Sequence, residues 1–208
     1  MTSSSVDSSP EPPARTTVHP VVVRLTHWIN AFAMVLMILS GWEIYNAYPI
    51  LPFKFPASIT LGDGLASGIL WHFAAMWLLV VNGLIYVGYG IVSGRFWRKL
   101  LPLHPGAMIA DAKAALSGKL DHDNLSQYNA VQRLLYVSVL LAGLLVTLSG
   151  LAMWKPVQFQ ELTALMGGFD NARIVHFAAM AFIVLFTLVH VAMAFLVPRS
   201  LLAMLRGR

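Results

Sequence analysis

The stretch RIVHFAAMAFIVLFTLVH, residues 173–190, is almost wholly apolar, yet it carries two histidines fourteen residues apart. About 20 apolar residues in a helix cross a hydrocarbon core of roughly 30 Å, so the segment reads as a membrane span. At 100° per residue, fourteen residues return to within about 40° of the starting direction while rising roughly 21 Å. His176 and His190 therefore share one helix face and sit near opposite surfaces of a bilayer. Ionisable groups at such depth are costly and normally face a bundle interior, where they have a partner.

Working outward, residues 21–45, 67–92 and 131–153 meet the same length criterion, and the span around His176 and His190 covers 172–197. With 58% hydrophobic residues, 11% charged and a mean hydropathy of +0.70, the composition is that of a membrane protein. The expected fold class is all-α, a four-helix transmembrane bundle in contact with lipid. It occupies residues 19–208, after a Ser/Pro-rich tail of residues 1–18 that has no apolar core and reads as disordered rather than as a signal peptide. There is no cysteine, which excludes disulfides, iron–sulfur ligation and covalent c-type haem.

Arginine and lysine set the orientation. Eleven lie in the terminal regions and the second connection, from Arg15 and Arg24 through Arg95 and Arg133 to Arg206 and Arg208; the first and third connections hold Lys54, Lys155 and Arg173. Both termini are expected in the cytoplasm. The net charge of +5 follows from this bias and calls for no nucleic acid.

The first connection, with Pro49, Pro52 and Pro56, is expected to lack a regular helix. The second contains GAMIADAKAALSGKL, residues 106–120, whose apolar spacing predicts a short helix lying on the membrane. In the third, Phe159, Leu162, Leu165 and Met166 predict another surface helix that ends at a Gly-Gly pair. No internal repeat is apparent.

Of seven histidines, His19, His104 and His122 fall in tails or loops and read as solvated. The other four lie inside spans. His27 begins the first span at the inner surface and His72 begins the second at the outer one, so the depths pair His27 with His190 and His72 with His176. Two stacked bis-histidine sites match two haem b groups, because a six-coordinate iron takes one neutral imidazole from each face of the ring. Glycines would make room for the macrocycles: Gly41 is fourteen residues after His27 on the same face, Gly83 is about 20° off the face of His72, and Gly143 and Gly150 share a face of the third span. Helix packing is the competing reading of such glycines.

These residues resemble the cytochrome b561 superfamily of bacterial membrane cytochromes, which includes the b subunits of Ni,Fe-hydrogenase and the gamma subunit of membrane formate dehydrogenase. The resemblance is carried by RLTHWINAF (24–32), LWHFAAMWLLVVNG (70–83), YNAVQRLLY (128–136) and the run from ARIVHFAAM to LVH (172–190). It implies the same metal ligands, His27, His72, His176 and His190, and a role as an iron-containing respiratory-chain subunit that carries electrons between quinone and a periplasmic redox partner, a hydrogenase or a molybdopterin oxidoreductase. It also implies a quinone site at the family's YNAGQ-like segment, matched by Tyr128, Asn129, Ala130 and Gln132 with Val131 in place of the glycine; Asn129 and Arg133 are the polar groups there at the inner end of the third span. An ordinary helix cap and interface cation fit Asn129 and Arg133 as well. The segment from Ser149 to Phe177 resembles cytochromes that accompany molybdopterin enzymes of the sulfite oxidase type.

Arg24 and Arg133 on the inner side, with Lys155 and Arg173 on the outer, stand where haem propionates would be met. Arg173, one turn before His176, is the best placed. Glu43 reads as an interfacial carboxylate, and Trp77, the one deep tryptophan, as haem packing. The alternative function is a self-sufficient superoxide:quinone oxidoreductase, which predicts a cationic outer mouth. Lys54, Lys155 and Arg173 are opposed there by Asp63, Glu161 and Asp170. A haem-free transporter using its histidines as a proton relay would show broken helices, and no span has an internal proline.

Overall fold

A computed structural model describes residues 19–95, 97 and 130–207. The tail of residues 1–18, the surface helix expected in 106–120, His104, His122 and Asn129 lie outside the described residues, as do the side chains of Gln132 and Arg133.

Four long helices carry the apolar spans: α1 (Val21–Ala47), α2 (Leu65–Val92), α3 (Ala130–Trp154) and α5 (Phe169–Leu196). Lipid offers no hydrogen bonds to a backbone, so an apolar run this long satisfies its amides internally as a helix. Each reaches a few residues beyond the hydrocarbon thickness, at 1.5 Å rise per residue. Their outward faces are apolar and open, with Leu70 at 72% and Val92 at 89% exposure, as a lipid-facing surface requires.

The helices pack as two hairpins, α1 along α2 and α3 along α5; among the described residues, close backbone approaches lie within each hairpin and hardly any between them. This leaves a seam along the middle. The hairpins are copies of one pattern. Leu39-Ser40-Gly41 on α1 recurs as Leu148-Ser149-Gly150 on α3, each serine sixteen residues after an arginine (Arg24, Arg133), and His72-Phe73-Ala74-Ala75-Met76 on α2 recurs as residues 176–180 on α5. The chain therefore does contain an internal repeat. It is hidden in the sequence because the connections differ in length and the shared residues are common ones in any membrane helix.

At one end of the bundle the first connection folds back over α1 rather than extending. Asn46 brackets Phe55, donating to its carbonyl and accepting from its amide, both at 2.8 Å, while Trp42 stacks on the Phe55 ring at 4.5 Å. Only a single 3-10 turn, Ala57–Ile59, is regular. The third connection holds α4 (Gln160–Leu165), the expected surface helix, tied to α3 by a 3.0 Å bond from the Thr163 hydroxyl to the Ala152 carbonyl. Gly167 and Gly168 end it with φ of 81° and 98°, a left-handed turn that side chains disfavour.

At the other end, α5 stops at Val197 and Pro198 opens a further helix, α6 (Pro198–Arg206), where proline's missing N–H is harmless. Arg24 binds this helix: its guanidinium donates to the carbonyls of Met204, at 3.2 Å, and Leu205. The start of α1 and helix α6 are thus held together at one end of the bundle. His19 is not a solvated tail residue: it is 8% exposed, with Nδ1 3.3 Å from the Arg95 guanidinium.

Candidate functional site

The four span histidines meet in two pairs across the seam. His72 from α2 and His176 from α5 lie at the end that carries α4, with ring centroids 6.3 Å apart. His27 from α1 and His190 from α5 lie at the end that carries α6, 6.0 Å apart. The pairing inferred from depth is therefore the pairing found in space.

Each ring of the first pair is held by the other helix of its own hairpin. Ser40 Oγ is 3.0 Å from His72 Nδ1, and Ser149 Oγ is 3.1 Å from His176 Nδ1. Both serines are fully buried and hydrogen-bond one turn back, to the carbonyls of Leu36 at 2.6 Å and Leu145 at 2.7 Å. The following glycine clears the ring: a Cβ on Gly41 would lie 3.4 Å from His72 Cε1, and one on Gly150 3.3 Å from His176 Cε1. Between the helices is a cavity of about 380 Å³ whose lining includes both histidines, Met37, Tyr45, Phe177 and Met180. Arg173 stands at its edge, donating to the Tyr48 carbonyl at 2.7 Å, lying 4.8 Å over the Tyr48 ring and 3.6 Å from the exposed Asp170 carboxylate.

The second pair has a different surround. Phe186 stacks on His190, with centroids 5.8 Å apart and planes within 7°, and Trp28 meets His27 edge-on at 5.3 Å. Asn82 reaches from α2 to α1, donating to the Thr26 carbonyl at 2.7 Å and to Asn30 Oδ1 at 2.6 Å. A Cβ added at Gly83 or Gly143 would meet nothing of the protein within 4 Å, so both glycines border open space.

These geometries fit a metal in a macrocycle. Two imidazoles facing each other across one metal would, with bonds of about 2 Å and about 1.1 Å from nitrogen to ring centre, have centroids about 6.2 Å apart. The separations of 6.3 and 6.0 Å match that value. Among the described residues no three His, Cys, Asp or Glu side chains converge, so each pair is a two-ligand set. Such a set suits an iron whose other four ligands come from a porphyrin.

Of the other residues singled out in the sequence, Gly41 and Arg173 border the His72–His176 pair, and Gly83 has no other part of the protein near it. Arg24 engages α6. Glu43 is a structural anchor, accepting from the Gly64 amide at 3.0 Å where α2 begins. Trp77 is 56% exposed and faces outward. Five residues after His72, it points about 140° away from the ligand face, so depth alone misleads. Ser40, Ser149 and Asn82 carry no role in the sequence reading. The repeated Leu-Ser-Gly is the signal that marks the two serines.

A family model described as prokaryotic cytochrome b561 matches residues 18–207. A putative protein-methionine-sulfoxide reductase subunit YedZ1 of Azospira oryzae is 52% identical over 190 residues, covering 91% of this chain and 96% of the relative. Probable Ni/Fe-hydrogenase B-type cytochrome subunits of Rhizobium leguminosarum and Cupriavidus necator are 25% and 23% identical, each over 85% of this chain and 79% and 77% of their own lengths. The chain belongs to the prokaryotic cytochrome b561 family, as a multi-pass membrane electron-transfer subunit whose family implies a b-type haem.

Proposed function

We propose that the chain binds two b haems, one between His72 and His176 and one between His27 and His190, and carries electrons from quinol to a reductase on the periplasmic face. The observation that carries this reading is the pair of ring separations, 6.3 and 6.0 Å, at opposite ends of one seam. The arginine and lysine bias supports a cytoplasmic position for the end that holds both termini. The His72–His176 pair then faces the periplasm of an inner-membrane protein.

Each b haem, when bound, supplies a one-electron relay. The chain's own residues do the rest: the four histidines fix the two centres, the apolar walls of the seam exclude water, and Arg173 offers a cation to a propionate beside His176. Asn129, in the segment resembling YNAGQ, and Arg133, which follows it, are the proposed quinone contacts at the cytoplasmic end. Removing two electrons from a quinol also releases two protons there. The 52% identical relative bears the name of a protein-methionine-sulfoxide reductase subunit, which supports a reductase of that specificity as partner over a hydrogenase; the molybdopterin type rests on the resemblance of residues 149–177. The superoxide alternative is less favoured, since Arg173 is matched by Asp170 and Lys155 lies over the Trp154 ring at 5.2 Å.

Haem stoichiometry tests the proposal. The purified protein should hold two b haems, with His72→Ala or His176→Ala removing one and His27→Ala or His190→Ala removing the other. One haem that survives loss of both His72 and His176, with no second haem in the unaltered protein, overturns it.

A further inference from the structure

The serines beside His72 and His176 have an allocation of protons that the geometry determines. A serine hydroxyl carries one hydrogen and two lone pairs. In Ser40 that hydrogen goes to the Leu36 carbonyl at 2.6 Å, and in Ser149 to the Leu145 carbonyl at 2.7 Å. What remains for each imidazole is a lone pair, so at 3.0 and 3.1 Å the ring must be the donor.

We infer that Ser40 and Ser149 are positioning residues that fix His72 and His176 as Nδ1–H tautomers, direct each bare Nε2 into the gap between them, and hold that centre at a lower midpoint potential. The inference rests on the reading that this pair ligates haem iron. A neutral histidine with Nδ1 protonated keeps its Nε2 lone pair for a metal. An acceptor on Nδ1–H also makes the imidazole a stronger donor, which favours the ferric state. The lower potential makes this centre the stronger reductant towards a partner at its own end.

Serine in a membrane helix often bonds the carbonyl one turn back without any further role. Three observations separate these two from that habit. The serine, the following glycine and the histidine recur at equivalent positions in both hairpins. Both serines are fully buried and touch the ligand ring itself. Among the described residues neither His27 nor His190 has a hydroxyl on its ring nitrogens, so the device belongs to one centre only.

Redox titration of the purified holoprotein, followed by the haem absorption and the low-spin electron paramagnetic resonance signals, tests the inference. With Ser40→Ala and Ser149→Ala, singly and together, one of two potentials should rise, most in the double variant, and its resonance signal should shift. The other centre should be unchanged, and two haems should remain. Both potentials staying in place with two haems bound overturns the inference. Where the alanine variants lose the haem, Ser40→Thr and Ser149→Thr keep the hydroxyl. Two haems and an unshifted potential in those variants support the inference, and haem loss there too overturns it. Failure of the ligand reading is distinguishable, because His72→Ala would then leave both haems in place.

Discussion

The side-chain amide of Asn82 donates to Asn30 Oδ1 across the interface of α1 and α2, 2.6 Å away, and its second hydrogen goes to the Thr26 carbonyl. Asn82 is 4% exposed inside a hydrocarbon-spanning hairpin, immediately before Gly83 on α2. Interhelical hydrogen bonds in membrane proteins average about 0.6 kcal/mol and reach about 1.7. Asn82→Ala should therefore destabilise the hairpin by about 1 kcal/mol. The Asn30→Ala, Asn82→Ala double variant should lose less than the two single losses combined, since both act on one bond. Unfolding in detergent, read by helical circular dichroism, checks this.

How much of this architecture is legible beforehand depends on what kind of period carries it. The spans and the pairing of the four span histidines are legible because lipid imposes a length and a helix imposes a phase, and His176 and His190 satisfy both at once. Gly41 follows from the same phase argument. Trp77 is deep in its span but out of phase with His72, and it faces outward. The short helix α6 is marked by Pro198 at its first position, yet its nine residues are too few to stand out beside a span. Arg24 owes its partners to that helix, a contact about 180 residues away in the chain, and His19 owes its Nδ1 contact to Arg95, 76 residues away; no local pattern encodes either. The serine partners needed a comparison of one half of the chain with the other.

Gly83 offers a steric probe of the second centre. A side chain there meets none of the protein's own atoms within 4 Å, so Gly83→Leu should leave the fold and the His72–His176 haem intact. It should expel or distort a haem between His27 and His190 whose macrocycle, as proposed, reaches into that space. Haem stoichiometry near one per chain, with unchanged helix content, is the expected result; two unperturbed haems would count against a macrocycle beside Gly83.

Arg24 makes a separable contribution. Its guanidinium caps the carbonyls of Met204 and Leu205, and Gly207, at φ 84°, gives it room: a Cβ there would lie 2.9 Å from Arg24 Nη1. Arg24→Ala should loosen α6 by about 1 kcal/mol, seen as faster protease cleavage or amide exchange in residues 198–207. Arg24→Lys should rescue little, since a single ammonium lacks the fork that reaches two carbonyls. The haem between His72 and His176 should not respond.

Arg173 predicts a redox shift of the opposite sign to that of the serines. A cation near an iron centre stabilises the reduced form, which carries one positive charge fewer, so removing the cation lowers the midpoint potential. Arg173 lies at the edge of the cavity lined by His72 and His176, one turn before His176 on the same helix. Its partner Asp170 is 87% exposed at the side chain and 3.6 Å away, so solvent weakens the opposing charge more than it weakens Arg173 at 21%. Arg173→Gln should thus lower the potential of the His72–His176 haem by tens of millivolts, against about 59 mV for a tenfold change in a one-electron equilibrium. Asp170→Asn should raise it slightly. Both shifts should shrink as salt is added, because they act through charge, whereas the effect of Ser149→Ala acts through a buried hydrogen bond and should not. A shift in the wrong direction for Arg173→Gln, or one indifferent to salt, would show that the arginine acts through its bond to the Tyr48 carbonyl and the shape of the cavity edge instead.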